Sequence, residues 1–293
     1  MVFRIRPSLT GAYSIIGSAL ALALGSMCAK VANFHGIPPI EVALARFAVG
    51  FFILNVMLII HPRSIRPVNP RWVMLRSIFT VMAIITFFIG ISSTTLVNAN
   101  LLNMTYPIFV ALIAPFWNKE PFTYTKVIAI TMAMTGIYFV IRPEINFCVG
   151  DIWALISGVL AGGGISSLRE ARATDSSFTI LYYLMTIGMG VTLIGWPGFV
   201  VPDIRFFGLL ILIGVLTFAG QYLLTYGYRY VKALDGSILS TSRIVFAGVL
   251  GISMFAEVLS WSLLLGTAMI TCAIIWIQTQ SSKKDGKEKE IPR

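Results

Sequence analysis

The sequence predicts an all-α polytopic membrane protein, with ten transmembrane helices in two inverted five-helix repeats. Three observations predict it. First, the 293 residues are 57% hydrophobic and only 12% charged, against roughly 45–50% and 25% in soluble domains. So few charges could not cover a soluble fold of this size. Second, the apolar residues gather in long, non-alternating runs, which favours helices over a β-barrel. Ten spans of about 20 residues would use about 200 residues and leave about 90 for loops and tails. Third, Lys and Arg concentrate in alternate connections between the runs, as membrane topology requires. An ordinary soluble enzyme, a disordered chain and a coiled coil are excluded.

Residues 1–10 form a cytoplasmic N-terminal segment, and the first span covers 11–33. Its Ala21-Leu22-Ala23 imitates a signal-cleavage site, but the apolar run continues past it, so the span is read as uncleaved. The second span, 40–60, holds Arg46 about one and a half turns beyond Glu41. The third and fourth, 72–90 and 95–116, meet around Ser92, Ser93 and Thr94, and the fifth covers 124–141. In the sixth, 150–168, Gly158, Gly162, Gly163 and Gly164 form a small-residue surface suited to close helix packing. A phosphate-binding loop would need a preceding strand. The seventh and eighth cover 178–197 and 206–228. The ninth, 234–255, holds Arg243 beside Ser240, Thr241 and Ser242, and the tenth covers 258–279. The basic tail 280–293 is polar apart from Ile291 and has the composition of a disordered segment.

With the N-terminus inside, the inside segments hold Arg4, Arg6, Arg63, Arg66, Arg71, Lys119, Lys126, Arg169, Arg172, Arg229, Lys232, Lys283, Lys284, Lys287, Lys289 and Arg293. The outside segments hold only Lys30, Arg142 and Arg205. This bias places both termini in the cytoplasm. It also accounts for the net charge of +10 without a nucleic-acid partner.

The chain carries a weak internal repeat. Gly11, Ser18, Gly25 and Lys30 align with Gly150, Ser157, Gly164 and Arg169. Leu102, Phe109, Glu120, Met132 and Ile137 align with Leu239, Phe246, Glu257, Met269 and Ile274. Span starts, a cationic span end and a loop glutamate recur together. Each repeat, 11–143 and 150–279, has an odd number of spans, so the two enter the membrane in opposite senses. Inverted repeats of this kind place a site near midplane and let one scaffold open to either side. That points to a carrier.

Ala99-Asn100-Leu101-Leu102, Tyr106-Pro107-Ile108-Phe109, Asn118-Lys119-Glu120-Pro121 and Gly136-Ile137-Tyr138 resemble the EamA-type repeat of the drug/metabolite transporter superfamily. So does the segment from Asp235-Gly236-Ser237 to Phe255-Ala256-Glu257. Arg46 matches a recurrent basic position of the first repeat. The resemblance spans about residues 11–279 and implies ten helices, alternating access and transport of small metabolites across a bacterial inner membrane. The second repeat departs from the first, with Ile244 in place of Pro107 and Ala273 in place of Gly136.

Charges inside spans are the most informative positions, because burying one costs several kcal/mol unless it is paired or hydrated. Arg46 and Arg243 are candidate substrate clamps, since a guanidinium grips carboxylate or phosphate bidentately. The competing reading pairs them with Glu41 or with helix-end carbonyls. Arg76, near the cytoplasmic start of the third span, is read as snorkelling. Asn98, Asn100 and Asn103 lie in the fourth span. Asn100 and Asn103 share a face, with Tyr106 one turn further, and serve either a polar ligand or interhelical bonds. Pro107 marks a kink. Gln221, ahead of Tyr222 and Tyr226, is a further ligand contact. Trp72, Trp153, Trp196 and Trp261 are read as interface anchors. Glu120 and Glu257 are read as structural, each favouring the positive end of the following helix.

No catalytic set appears. His35 and His61 lie near opposite faces, and the three cysteines offer neither a disulfide framework nor metal spacing. The expectation is therefore a secondary transporter, with no cofactor or metal, that moves a small polar or amphipathic metabolite, of the amino acid, nucleoside-like or vitamin class, across the inner membrane by alternating access. Its binding residues would be Arg46, Asn100, Asn103, Tyr106, Gln221 and Arg243, with Glu41 and Asp235 as coupling acids. The expected partners are the small-molecule substrate and the lipid bilayer, with a homodimer left open. The alternatives are a membrane-embedded enzyme and a lipid-translocating component.

Overall fold

Prolines, one left-handed glycine and short hydroxyl side chains set the helix boundaries. The computed structural model describes residues 7–117, 124–141, 148–195, 204–227, 230, 239–240, 242–258 and 260–289. Helix α1 (Pro7–Phe34) ends at a turn where Gly36 has φ +80°, a conformation open to glycine because it lacks Cβ. Pro39 opens α2 (Pro39–Ile60) and Pro70 opens α3 (Pro70–Ser93), where a missing N–H costs nothing. Thr95 caps α4 (Leu96–Asn103) by accepting the Asn98 N–H at 3.0 Å. Then follow α5 (Tyr106–Trp117), α6 (Tyr124–Ile141) and α7 (Val149–Thr174). Ser176 caps α8 (Ser177–Ile194) through the Thr179 N–H at 3.1 Å. The series closes with α9 (Ile204–Gly227), α10 (Ser242–Phe255) and α11 (Trp261–Lys289).

No strand occurs among the described residues. Among the described residues, six helices, α1, α2, α3, α7, α8 and α9, are long and apolar enough to cross a membrane. Two shorter apolar helices are Ser242–Phe255 and Trp261–Ala273. The molecule is an all-helical, multi-pass membrane protein.

Two boundaries differ from expectation. The fourth span is two helices, because α4 ends at Asn103 and α5 starts at Tyr106 after a turn at Met104 and Thr105. The break falls just before Pro107, which fits the first turn of a helix better than its interior. The last helix continues to Lys289, so the polar tail read as disordered is helical that far. Its many lysines are adequate helix formers.

Glycines hold the principal pairs together. Helix α1 runs antiparallel to α9, with Gly25 against Thr217, Gly220 against Leu22 and Gly227 against Ile15. Helix α3 runs antiparallel to α7, with Gly90 against Gly150 and Ala154, Gly163 against Phe79 and Gly164 against Thr80. A Cβ at Gly90 would lie 2.9 Å from the Ala154 nitrogen. Close approach of this kind replaces the hydrophobic drive that lipid does not supply. Around these pairs, α2 touches α8 and α9, and α3 touches α8. Helices α4 and α5 pack on α7, α10 packs on α1, and α6 pairs with α11.

The connections sort to two faces. On one, the Asp175 carboxylate accepts the Val68 and Asn69 N–H groups at 2.6 and 3.0 Å, and Arg63 lies 5.8 Å from the Phe178 ring. Burial pushes the Asp175 carboxyl up, but bonds from Val68, Thr174 and Asn69 outweigh it and hold the group below the usual carboxylate range. On the opposite face His35 meets Phe206 at 4.9 Å and Phe34 meets Phe255 at 5.7 Å. Lys30, Thr94 and Glu257 also meet there.

Candidate functional site

Between the glycine-packed pairs lies a cavity of about 760 Å³, including the part open to solvent, with walls from both halves of the chain. Ile15 and Ser18 of α1, Arg76 and Thr80 of α3, Ile165 of α7 and Leu224 of α9 line it. These six lie in the portion of their helices nearer the Asp175 face, where α1 and α3 begin and α7 and α9 end, while Arg46, Ile84 and Phe87 carry the lining into the portions of α2 and α3 nearer the other face.

Three guanidinium groups, Arg46, Arg76 and Arg243, reach this cavity and are 6%, 3% and 8% exposed. An Arg46 Nη2 donates to Gln221 Oε1 at 3.3 Å, and an Arg243 Nη1 donates to Asn103 Oδ1 at 3.5 Å. Arg243 also sits 5.0 Å from the Phe87 ring centre, a cation–π contact. The Nε atoms of Arg46 and Arg243 are buried with no hydrogen-bond partner among the described residues. Asn103 is fixed in turn by donating to Ser157 Oγ at 2.9 Å. No Asp or Glu belongs to the described lining.

Arg46, Asn103, Tyr106, Gln221 and Arg243 all line the cavity, as the sequence reading grouped them. Asn100 does not. It donates to Ser26 Oγ at 3.3 Å and to the Leu96 carbonyl at 2.9 Å, joining α4 to α1. Residues three apart are turned about 60° from each other around a helix, enough to send Asn100 to α1 and Asn103 to α7. Glu41 is buried in the first turn of α2 and is not part of the described lining. Asp235, Glu120 and Trp196 lie outside the described residues.

Arg76 is the residue that sequence reasoning missed. Where a snorkelling side chain is expected, it is buried and lines the cavity. It lies six residues past Pro70, about 9 Å along the helix, with Ser77 and Thr80 following. That polar stripe in an otherwise apolar helix was the available signal.

Glu257 also departs from expectation. Instead of serving the helix that follows, it reaches to the start of α4. Its carboxylate accepts from the Leu96 and Val97 N–H groups at 2.6 and 3.1 Å and from Lys30 Nζ at 2.8 Å. A left-handed Ala256 (φ 50°) turns the chain so that the Glu257 N–H meets the Gly251 carbonyl at 3.2 Å. Lys30 donates further to the Thr94 carbonyl at 2.9 Å. Beside it, the Thr94 hydroxyl and the Asn98 amide donate to Asp151. A buried carboxylate at a helix N-terminus with a cationic partner is well compensated. This network ties α1, α4 and the segment after α10 together on the face away from the cavity walls.

The profile of the EamA-like transporter family matches residues 9–142 and again 149–279. A pseudopaline exporter of Pseudomonas aeruginosa is 23% identical over 82% of this chain and 86% of its own length. An uncharacterized transporter of Archaeoglobus fulgidus is 25% identical over 87% and 92%. Solute carrier family 35 member G1 of Mus musculus is 25% identical over 86% and 73%. A solved crystal structure overlays with a TM-score of 0.60 across 95% of this chain and 99% of its own, at 16% identity. That last likeness concerns the fold alone.

Proposed function

We propose that this chain, which belongs to the EamA-like transporter family, is a secondary transporter whose two five-span halves are inverted copies rocking about the arginine-lined cavity. The observation that carries this reading is a symmetry in the packing. Gly25 meets Thr217 just as Gly164 meets Thr80, and the four residues exchange when the first repeat is laid on the second. The lining obeys the same exchange. Ile84 and Gln221, Phe87 and Leu224, Asn103 and Ser240, and Tyr106 and Arg243 are pairs of cavity residues, each 137 positions apart. Equivalent helices from oppositely directed halves thus wall one space, the arrangement on which alternating access rests.

On this reading α4 and α5 form one interrupted span and α10 is part of its counterpart, giving ten crossings. The Asp175 face is cytoplasmic, together with both termini, in a bacterial inner membrane. That assignment agrees with the concentration of Lys and Arg in the segments assigned to that side. The network around Glu257 closes the opposite face, and the cavity belongs to the inward-facing state. The cargo is a small polar or amphipathic metabolite.

Uptake of a metabolite panel into proteoliposomes tests this. Saturable uptake of at least one compound is expected, falling at least about tenfold in Arg243→Ala, the scale of losing a charged hydrogen bond, with folded yield retained. Turnover of a lipid with no movement of any metabolite would refute it.

A further inference from the structure

We infer that the cavity takes a metabolite bearing at least two acidic groups, a di- or tricarboxylate or a phosphorylated acid, held jointly by Arg46, Arg76 and Arg243. The inference rests on the transport reading for its setting and on the charge inventory of the cavity for its content. Three buried guanidinium groups line one space whose described lining holds no Asp or Glu, with Arg76 keeping an interaction of its own. Gln221 and Asn103 are neutral acceptors at 3.3 and 3.5 Å. The unpartnered Nε atoms of Arg46 and Arg243 leave donors free to engage an anion.

Like charges held together out of water repel, and each carries a desolvation cost of several kcal/mol. A compact polyanion relieves both at once. An amino acid does not, because its single carboxylate answers one guanidinium while its ammonium faces the others. A neutral nucleoside or vitamin answers none. Guanidinium groups also suit this ligand class chemically, since their fork geometry matches carboxylate and phosphate oxygens bidentately.

The cations break the repeat's symmetry. The counterpart of Arg243 is Tyr106, and the residue 137 positions beyond Arg76 is Ile213. The frame is therefore duplicated but the charge is not. Arg46 and Arg76 stand in the first half and Arg243 in the second, so a bound polyanion would bridge the two halves that must move together.

Purified protein in detergent and in proteoliposomes distinguishes the possibilities, with citrate, phosphoenolpyruvate, alanine, uridine and lysine as probes. Citrate or phosphoenolpyruvate should raise the melting temperature, and alanine, uridine and lysine should not. The apparent affinity should fall at least about tenfold in Arg76→Gln and in Arg243→Gln, the scale of a lost charged hydrogen bond. Arg76→Lys, which keeps the charge but not the fork, should fall between parent and Arg76→Gln and guards against a folding artefact. Arginine-dependent polyanion binding without uptake would uphold this inference and sink the transport reading. Uptake of alanine or uridine that excess citrate and phosphoenolpyruvate leave unchanged would overturn the inference and leave transport standing. Absence of both polyanion binding and uptake would overturn both.

Discussion

Asn100 and Asn103 sit three residues apart on one short helix and do different things. Asn100 is fully buried between α4 and α1, bonded to Ser26 and to its own helix. Asn103 lines the cavity between Ser157 and Arg243. Asn100→Ala should therefore lower stability by about 1 kcal/mol, the scale of interhelical polar contacts in membranes, and leave substrate affinity unchanged. Asn103→Ala should weaken substrate binding several-fold, because Arg243 loses the acceptor that orients it. Thermal melts and a titration on both variants check the split. From sequence the two asparagines were equivalent, since helical spacing gives a shared side of the helix but not which neighbour stands there. The arginines were legible as costly charges. That Arg76 joins Arg46 and Arg243 around one space depends on the crossing of α2, α3 and α10, which no local pattern encodes.

At the scale of elements, helix identity and most boundaries were written in apolar run length and in the residues that stop helices. The break before Tyr106 was signalled only by Pro107 and falls a few residues earlier. The glycines of α7 were legible as a packing surface, but their partners on α3 and α5 were not, because small-residue stripes name no mate. A Cβ at Gly90 would meet the backbone of Ala154 and Gly150 at 2.9 and 3.0 Å. Gly90→Val should accordingly destabilise by roughly 1–3 kcal/mol, as overpacking does. Gly190 in α8 has nothing within 4 Å of its Cβ position. Gly190→Ala should hold the melting temperature or raise it, by up to about 1 kcal/mol in stability. Melting curves of the two variants in the same detergent give the comparison, and equal losses would discard the close-packing account.

Across the whole molecule, the sorting of connections into two faces follows the charge pattern of the sequence. Among the described residues, Val68 and Asn69, from a connection expected inside, meet Asp175, while Lys30, Thr94 and Glu257, from segments expected outside, meet one another on the other face. What could not be foreseen is the closure. Lys30 and Glu257 lie 227 positions apart, and each had a plausible local role as a span-end cation or a helix-start acid. Their joining ties the two halves on the face away from Asp175, as the Asp175 bonds to Val68 and Asn69 tie them on the other, and the arginine cavity lies between. Access to that cavity from each side is therefore the most direct test of the proposed mechanism. In a background with Cys28, Cys148 and Cys272 replaced, Ser18→Cys places a thiol on the cavity wall. A membrane-impermeant maleimide should label it from the Asp175 face, and adding Glu257→Gln should open labelling from the opposite face. Labelling confined to the Asp175 face with and without Glu257→Gln, or equal from both faces in each, would contradict alternating access through this cavity.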